Sequence, residues 1–181
     1  MCTECVCYED LNCHAPLELI TNGVCNDETN NAGCEFDGYA SDITRSWPVN
    51  GKFTPEQAEI YNIVLDAQLA AIDKCRVGNP YDAPHNEARK VLAEGLIRIG
   101  VIKQSLDDAL STDGELSNWY MHGTGHWLGL DVHDVGLYSQ PFQVGNVLTC
   151  EPGIYIPEEG IGCRLENDYL VVENGVVNLT E

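Results

Sequence analysis

Val147–Leu179 reads VLTCEPGIYIPEEGIGCRLENDYLVVENGVVNL. The stretch is strand-rich, with a loop at Pro157–Gly160. Ahead of it lie two short strands around Asp37-Gly38, a strong hairpin turn pair, and then two helices. Strands, helices, then strands point to an α+β fold with an antiparallel sheet. With Pro157–Gly160 as a four-residue loop, Ile156 faces Ile161 and Glu151 falls directly opposite Glu166. Carboxylates opposed across a ladder repel each other. Something positive should sit between them: a bound cation, a proton or an arginine. Arg164 lies two residues before Glu166 on the same strand face and is the side-chain alternative to an ion. Clustered carboxylate oxygens are what a hard cation requires.

Working back from there, Thr54-Pro55-Glu56-Gln57 opens the first helix, with Thr54 as cap and Gln57 completing a capping box. Tyr61, Val64, Leu65, Leu69 and Ile72 give it an apolar face, and Gly78 lies beyond its end. A second helix is expected from about Pro84 to Ile99, with Ala88, Val91, Leu92, Leu96 and Ile99 on one face and Gly100 as the stop. SLDDALSTDGELSN reads as a short acidic link. In the first hairpin, Gly33 faces Asp42, so Asn31 and Asp42 are diagonal neighbours within reach of one ion. Residues 1 to 30 are Cys-rich and without clear period; they are read as a divergent segment preceding a domain at 31–181.

The chain has 181 residues and carries 9 Lys+Arg against 29 Asp+Glu, a formal net charge of −20. That excess excludes nucleic acid and anionic membrane surfaces as partners. It favours metal ions, basic partners or a substrate with a free amino group. No stretch is long and apolar enough to span a bilayer, and MCTECVCYED has the wrong polarity for a signal peptide; the expected location is the cytoplasm. Nine cysteines are an odd number for a disulfide framework. Cys2 and Cys5 form a C-x-x-C, and His14 follows Cys13, which would suit a zinc or redox site; reduced, inert thiols are the alternative.

Three of the five histidines, His122, His126 and His133, lie within HGTGHWLGLDVHD. Glycines allow a ligand or metal close approach, and they break the helical period that an H-E-x-x-H zinc site needs. Imidazole beside Asp and Glu oxygens suits Mn, Co, Zn or Fe(II). A paired-metal site of that kind performs metal-assisted amide hydrolysis.

Four segments carry a resemblance: GCEFDGYASDITRSWPVNGKFT, HGTGHWLGLDVHDVG, EPGIYIP and GIGCRLEND, in that order. They look like the signature segments of aminopeptidase P (Xaa-Pro aminopeptidase). The resemblance runs from Asn31 to the C-terminus. It implies the pita-bread fold shared with methionine aminopeptidase, prolidase and creatinase. Here that would be its C-terminal part, a curved antiparallel sheet packed with helices, with the first half incomplete. The family holds two divalent metals, typically manganese. By the resemblance, Asp42, His126, Glu151 and Glu166 are metal ligands, with Asp42 and Glu166 bridging. His122 and His133 line the substrate site and stabilise the tetrahedral intermediate. Arg164 matches a structural arginine beside the last ligand and is grouped with the substrate-site residues. The implied reaction removes an N-terminal residue preceding proline, with activated water as nucleophile and Glu151 as proton shuttle.

Two departures from the family pattern shape the expectation. The family's first metal aspartate falls on Asn31, a neutral amide, so one metal should bind weakly or be absent. About half of the family's catalytic domain is missing or replaced by residues 1 to 30, which is expected to leave apolar faces for a partner chain or a second copy. His14 falls roughly where the family places another substrate-site histidine. The alternative to an enzyme is a non-catalytic peptide-binding or interaction protein that keeps the fold.

Overall fold

The computed structural model describes residues 39–180. The Cys-rich segment, His14, Asn31 and the Asp37-Gly38 turn lie outside the described residues.

Helix α1 runs Pro55–Ile72 and helix α2 Ala83–Arg98. The capping box of α1 is formed: Thr54 Oγ1 accepts from the Gln57 N–H at 3.2 Å, and Gln57 Oε1 accepts from the Thr54 N–H at 3.0 Å. Gly100, with φ 78°, ends α2 in a conformation that favours glycine. The buried face of α1 differs from the expected one. Ile60, Ile63, Val64, Ala67, Gln68 and Ala71 are buried, while Leu69 is 58% exposed. The reason is close approach. A Cβ added at Gly95 of α2 would fall 2.5 Å from Ile63 Cγ2, and Ala67 and Ala71 keep the rest of that stripe small. Tyr61 and Leu65 pack partly buried at the edge of the core, and Leu69 is left on the flank.

The acidic link is more ordered than expected. Ser105 caps a short helix α3, Leu106–Leu110, and accepts from the Asp108 N–H; a single 3-10 turn follows at Glu115–Asn118. The S-x-x-D pattern was present, but five helical residues are too few to show a period.

Five strands follow: β1 Val147–Cys150, β2 Gly153–Ile156, β3 Ile161–Arg164, β4 Asn167–Val172 and β5 Gly175–Asn178. They form a three-stranded antiparallel sheet in the order β1-β4-β5 and a two-stranded one, β2-β3. The loop between β2 and β3 is one 3-10 turn closed by Gly160 at φ 62°. Ile156 pairs with Ile161, as the loop length predicts. Val147 pairs with Leu170 and Cys150 with Asn167 in the same register, so the two sheets are one ladder with a break. The break falls at Glu151-Pro152 and Leu165-Glu166, where Pro152 brings no N–H to the ladder. Glu151 therefore lies opposite Glu166.

Two further segments flank this ladder. Leu128, Thr149 and Glu151 donate backbone N–H groups to Val147, His126 and Thr124, so 124–128 runs antiparallel beside β1. On the other side, Glu166 N–H donates to the Thr44 carbonyl and Ser46 Oγ bonds both backbone groups of Arg164, so 42–46 runs beside 164–168. The sequence predicts a strand here. The described part, 39–46, is not a regular one, because side chains supply much of its pairing: Asp168 accepts from the Asp42 N–H, and Arg45 donates to the Glu166 carbonyl and to Asn167 Oδ1.

The two-residue strand period then divides the residues. Leu148, Cys150, Ile154, Ile156, Cys163 and Leu165 turn toward the helices and join Ile60, Val64, Leu92 and Leu96 or the Trp127–Phe142 cluster in the core. Thr149, Glu151, Tyr155, Arg164, Glu166 and Asp168 turn the other way. Gln68 of α1 spans the break: its buried Nε2 donates to the carbonyls of both Cys150 and Leu165, each at 3.1 Å. These residues immediately precede Glu151 and Glu166. Replacing Gln68 with Leu withdraws both donors from buried carbonyls, and unsatisfied groups of this kind cost about 1–3 kcal/mol each. Urea denaturation of Gln68→Leu should show a loss of about 2 kcal/mol or more; a variant as stable as the parent would show that the two carbonyls find other donors.

Candidate metal centre

The flanking segments bring four of the predicted residues together. Asp42 comes from 42–46, Glu166 from the β3–β4 junction, Glu151 from the β1–β2 junction and His126 from 124–128. Each lies on an adjacent line of chain, and the shared two-residue period puts all four on the face away from the helices. Gly125 allows the last line to approach: a Cβ there would lie 2.1 Å from the Thr149 carbonyl oxygen.

His126 Nε2 lies 3.2 Å from Asp42 Oδ2 and 3.5 Å from Glu151 Oε1. Candidate ligand atoms of His126, Glu151 and Glu166 lie within 4.8 Å of one another, and so do those of Asp42, His126 and His133. The rings of His126 and His133 meet edge to face at a centroid distance of 4.1 Å. His126 Nδ1 bonds the Trp127 carbonyl at 3.0 Å; with the proton there, Nε2 turns a lone pair toward the carboxylates.

The electrostatics are those of crowded acids. Burial, then the charges of Glu151 and Asp42, push Glu166 up to about 8. Burial also raises Glu151, against the pull of His126 and Arg164. Burial lowers His126, but the adjacent Asp42 carboxylate, the Trp127 carbonyl and the Glu151 charge outweigh it and leave its pKa raised. Asp42 Oδ1, His126 Nε2 and Glu166 Oε1 are buried and make no aligned hydrogen bond among the described residues. Buried polar atoms normally have partners. Two carboxylate oxygens and one imidazole nitrogen of this kind, on residues of two candidate ligand groups that share His126, fit a divalent transition metal.

His122 and Arg164 lie at the edge of this cluster. His122 Nδ1 bonds the Gly123 carbonyl at 2.7 Å and Nε2 bonds the Tyr155 hydroxyl at 2.8 Å. Burial lowers the His122 pKa, so its imidazole is neutral near pH 7. Arg164 Nη1 stands 3.9 Å from Glu151 Oε2, and Nε donates to Thr44 Oγ1 at 3.1 Å. Arginine is therefore present beside the opposed pair, and its charge lowers the proton affinity of both Glu151 and Glu166. A groove of about 410 Å³ shares Tyr155 and Arg164 with the site and is lined further by Trp47, Pro48, Phe53 and Tyr61.

Several contributors escape the sequence reading. Thr44 donates to Glu166 Oε2 at 2.5 Å. Asp168 accepts from Ser41 Oγ and from the Asp42 N–H, and burial pushes it up to about 6. The signal for both was available: each lies two residues from a predicted ligand, on the same strand face. His85 Nδ1 and the Tyr120 hydroxyl both bond Thr124 Oγ1, behind the His126 segment. No local pattern marks His85, which reaches the site from α2.

A model of metallopeptidase family M24 matches residues 29–173. The Xaa-Pro aminopeptidase of Escherichia coli K12 is 44% identical over 161 residues, covering 82% of this chain and 36% of that protein. The solved structure of Pseudomonas aeruginosa aminopeptidase PepP matches with a TM-score of 0.79 at 43% identity, covering 82% of this chain and 37% of that one. An alanine variant of Escherichia coli aminopeptidase P in complex with substrate matches with a TM-score of 0.77 at 43% identity, over 82% of this chain and 36% of that one. The chain thus spans little more than a third of the length of these relatives. They share the expected α+β pita-bread fold, and by the match over 29–173 the chain belongs to metallopeptidase family M24.

Proposed function

We propose that this chain is a metallo-aminopeptidase domain that releases an N-terminal residue preceding proline. The observation that carries the reading is the convergence of Asp42, His126, Glu151 and Glu166, with three of their buried ligand atoms lacking hydrogen-bond partners. Those four residues would hold the metal, proposed to be manganese as the mixed oxygen and imidazole donors allow. A divalent metal there supplies Lewis-acid polarisation of the scissile carbonyl and acidifies water.

The chain's own residues do the rest. Glu151, its proton affinity raised by burial, accepts a proton from the attacking water and returns it to the departing proline nitrogen. Neutral His122, tied to Tyr155, and His133, set edge to face against His126, orient the peptide carbonyl. Arg164 and the adjoining groove receive the residues from proline onward. The acidic balance favours a substrate with a positive amino terminus. Exposed Val135, Leu137 and Tyr138 support association with a second copy or a completing chain.

With manganese added, an Xaa-Pro peptide should lose its first residue, and Glu151→Ala should slow this by about 100-fold or more. Cleavage that is unaffected by a chelator, or by Glu151→Ala, would overturn the proposal.

The metal-free protein should also show a defined pH dependence. Glu166 is held at about 8 against an ordinary 4.5, so the folded state binds more protons than the unfolded state between those values. Stability is therefore fully present below 4.5 and is lost as pH rises toward 8. Asp168, raised to about 6, acts in the same direction. Thermal melts in chelator should fall in Tm from pH 5 to pH 8, and the gain on adding manganese should be larger at pH 8. A chelated Tm that rises over this range would contradict the burial of these acids.

A further inference from the structure

We propose that Thr44 is a positioning residue that fixes the Glu166 carboxylate for metal binding; this rests on the reading of Glu166 as a metal ligand. A threonine hydroxyl has one proton to give and two lone pairs to accept with. Arg164 Nε can only donate, and it donates to Thr44 Oγ1 at 3.1 Å. As a metal ligand, Glu166 is ionised and can only accept. The single Thr44 proton is thereby directed to Glu166 Oε2, 2.5 Å away. Thr44 also accepts the Glu166 backbone N–H through its own carbonyl at 3.1 Å, so one residue holds Glu166 at both backbone and side chain. Its β-branch restricts χ1, and the residue is 4% exposed.

With Oε2 held, the carboxylate cannot turn about its last torsion, and Oε1 remains as the buried oxygen without a hydrogen-bond partner. Arg164, which orders the Thr44 hydroxyl, also stands 3.9 Å from Glu151. A line of contacts, Glu151–Arg164–Thr44–Glu166, therefore ties the two opposed carboxylates to one guanidinium. Thr44 touches neither substrate nor reacting atoms; it acts through Glu166.

The test is manganese binding by the full chain, measured by titration calorimetry and by the paramagnetic resonance spectrum of the bound ion. Thr44→Val keeps the shape and removes the hydroxyl; Thr44→Ser keeps the hydroxyl. Removing a group that orients a ligand weakens metal binding by about 10–100-fold. Thr44→Val should show that loss and a changed spectrum while still melting cooperatively in chelator, and Thr44→Ser should stay within about twofold of the parent. Glu166→Gln is the control for the underlying reading: if it binds manganese normally, Glu166 is not a ligand and that reading fails. If Glu166→Gln loses the metal but Thr44→Val binds as the parent does, the positioning role is wrong. Should neither Thr44→Val nor Thr44→Ala fold, the hydroxyl serves the fold, and the proposal is likewise overturned.

Discussion

Two carboxylates face each other across an unbroken strand register, and both are withdrawn from water. That constraint organises most of what surrounds them. Like charges at this separation in a poorly solvated place cannot both stay ionised without a counter-charge. The chain answers with His126 and Arg164 nearby, with raised proton affinity at Glu151 and Glu166, and with a geometry that leaves ligand atoms pointing inward. Each answer is partial. The arginine stands nearest Glu151 and lowers the proton affinity of both acids without cancelling the effect of burial, and the histidine is shared between Asp42 and Glu151. A cation resolves the arrangement in a way the side chains alone do not.

The opposed pair was legible because it depends on parity alone. A four-residue loop and a two-residue period place Glu151 against Glu166, and the break at Pro152 does not disturb the count. Helix boundaries were legible for a similar reason: Thr54, Gln57 and Gly100 act locally. The buried stripe of α1 was not. Val64 of the expected face is buried, but Leu69 is as apolar as Ile63 and stays exposed, while Ile63 turns inward to the close contact at Gly95. Side chains that act across the fold were hidden too. Gln68 reads as a polar interruption in a helix until the carbonyls of Cys150 and Leu165 are brought to it.

The segment 42–46 shows a different limit. Its residues have strand character, and Asp42 and Thr44 alternate with exposed Ile43 as a strand requires. Yet it is held in place by Asp168, Arg45 and Ser46 side chains as much as by backbone pairing. Such pairing has no period to read. It is also specific, because a side chain of defined length must reach a defined backbone group, and this suits a segment that must deliver one carboxylate to one point.

The place of Gln68 has a wider meaning. One amide, rooted in a helix of the hydrophobic core, spans the gap between the lines of chain that carry Glu151 and Glu166. The helix thereby acts as a gauge block, with the distance between two ligands referred to the packing of the hydrophobic interior. Repacking Ile63 against Gly95 moves that reference. If the centre holds a metal as proposed, its affinity is open to tuning from deep in the apolar core, by residues with no charge of their own.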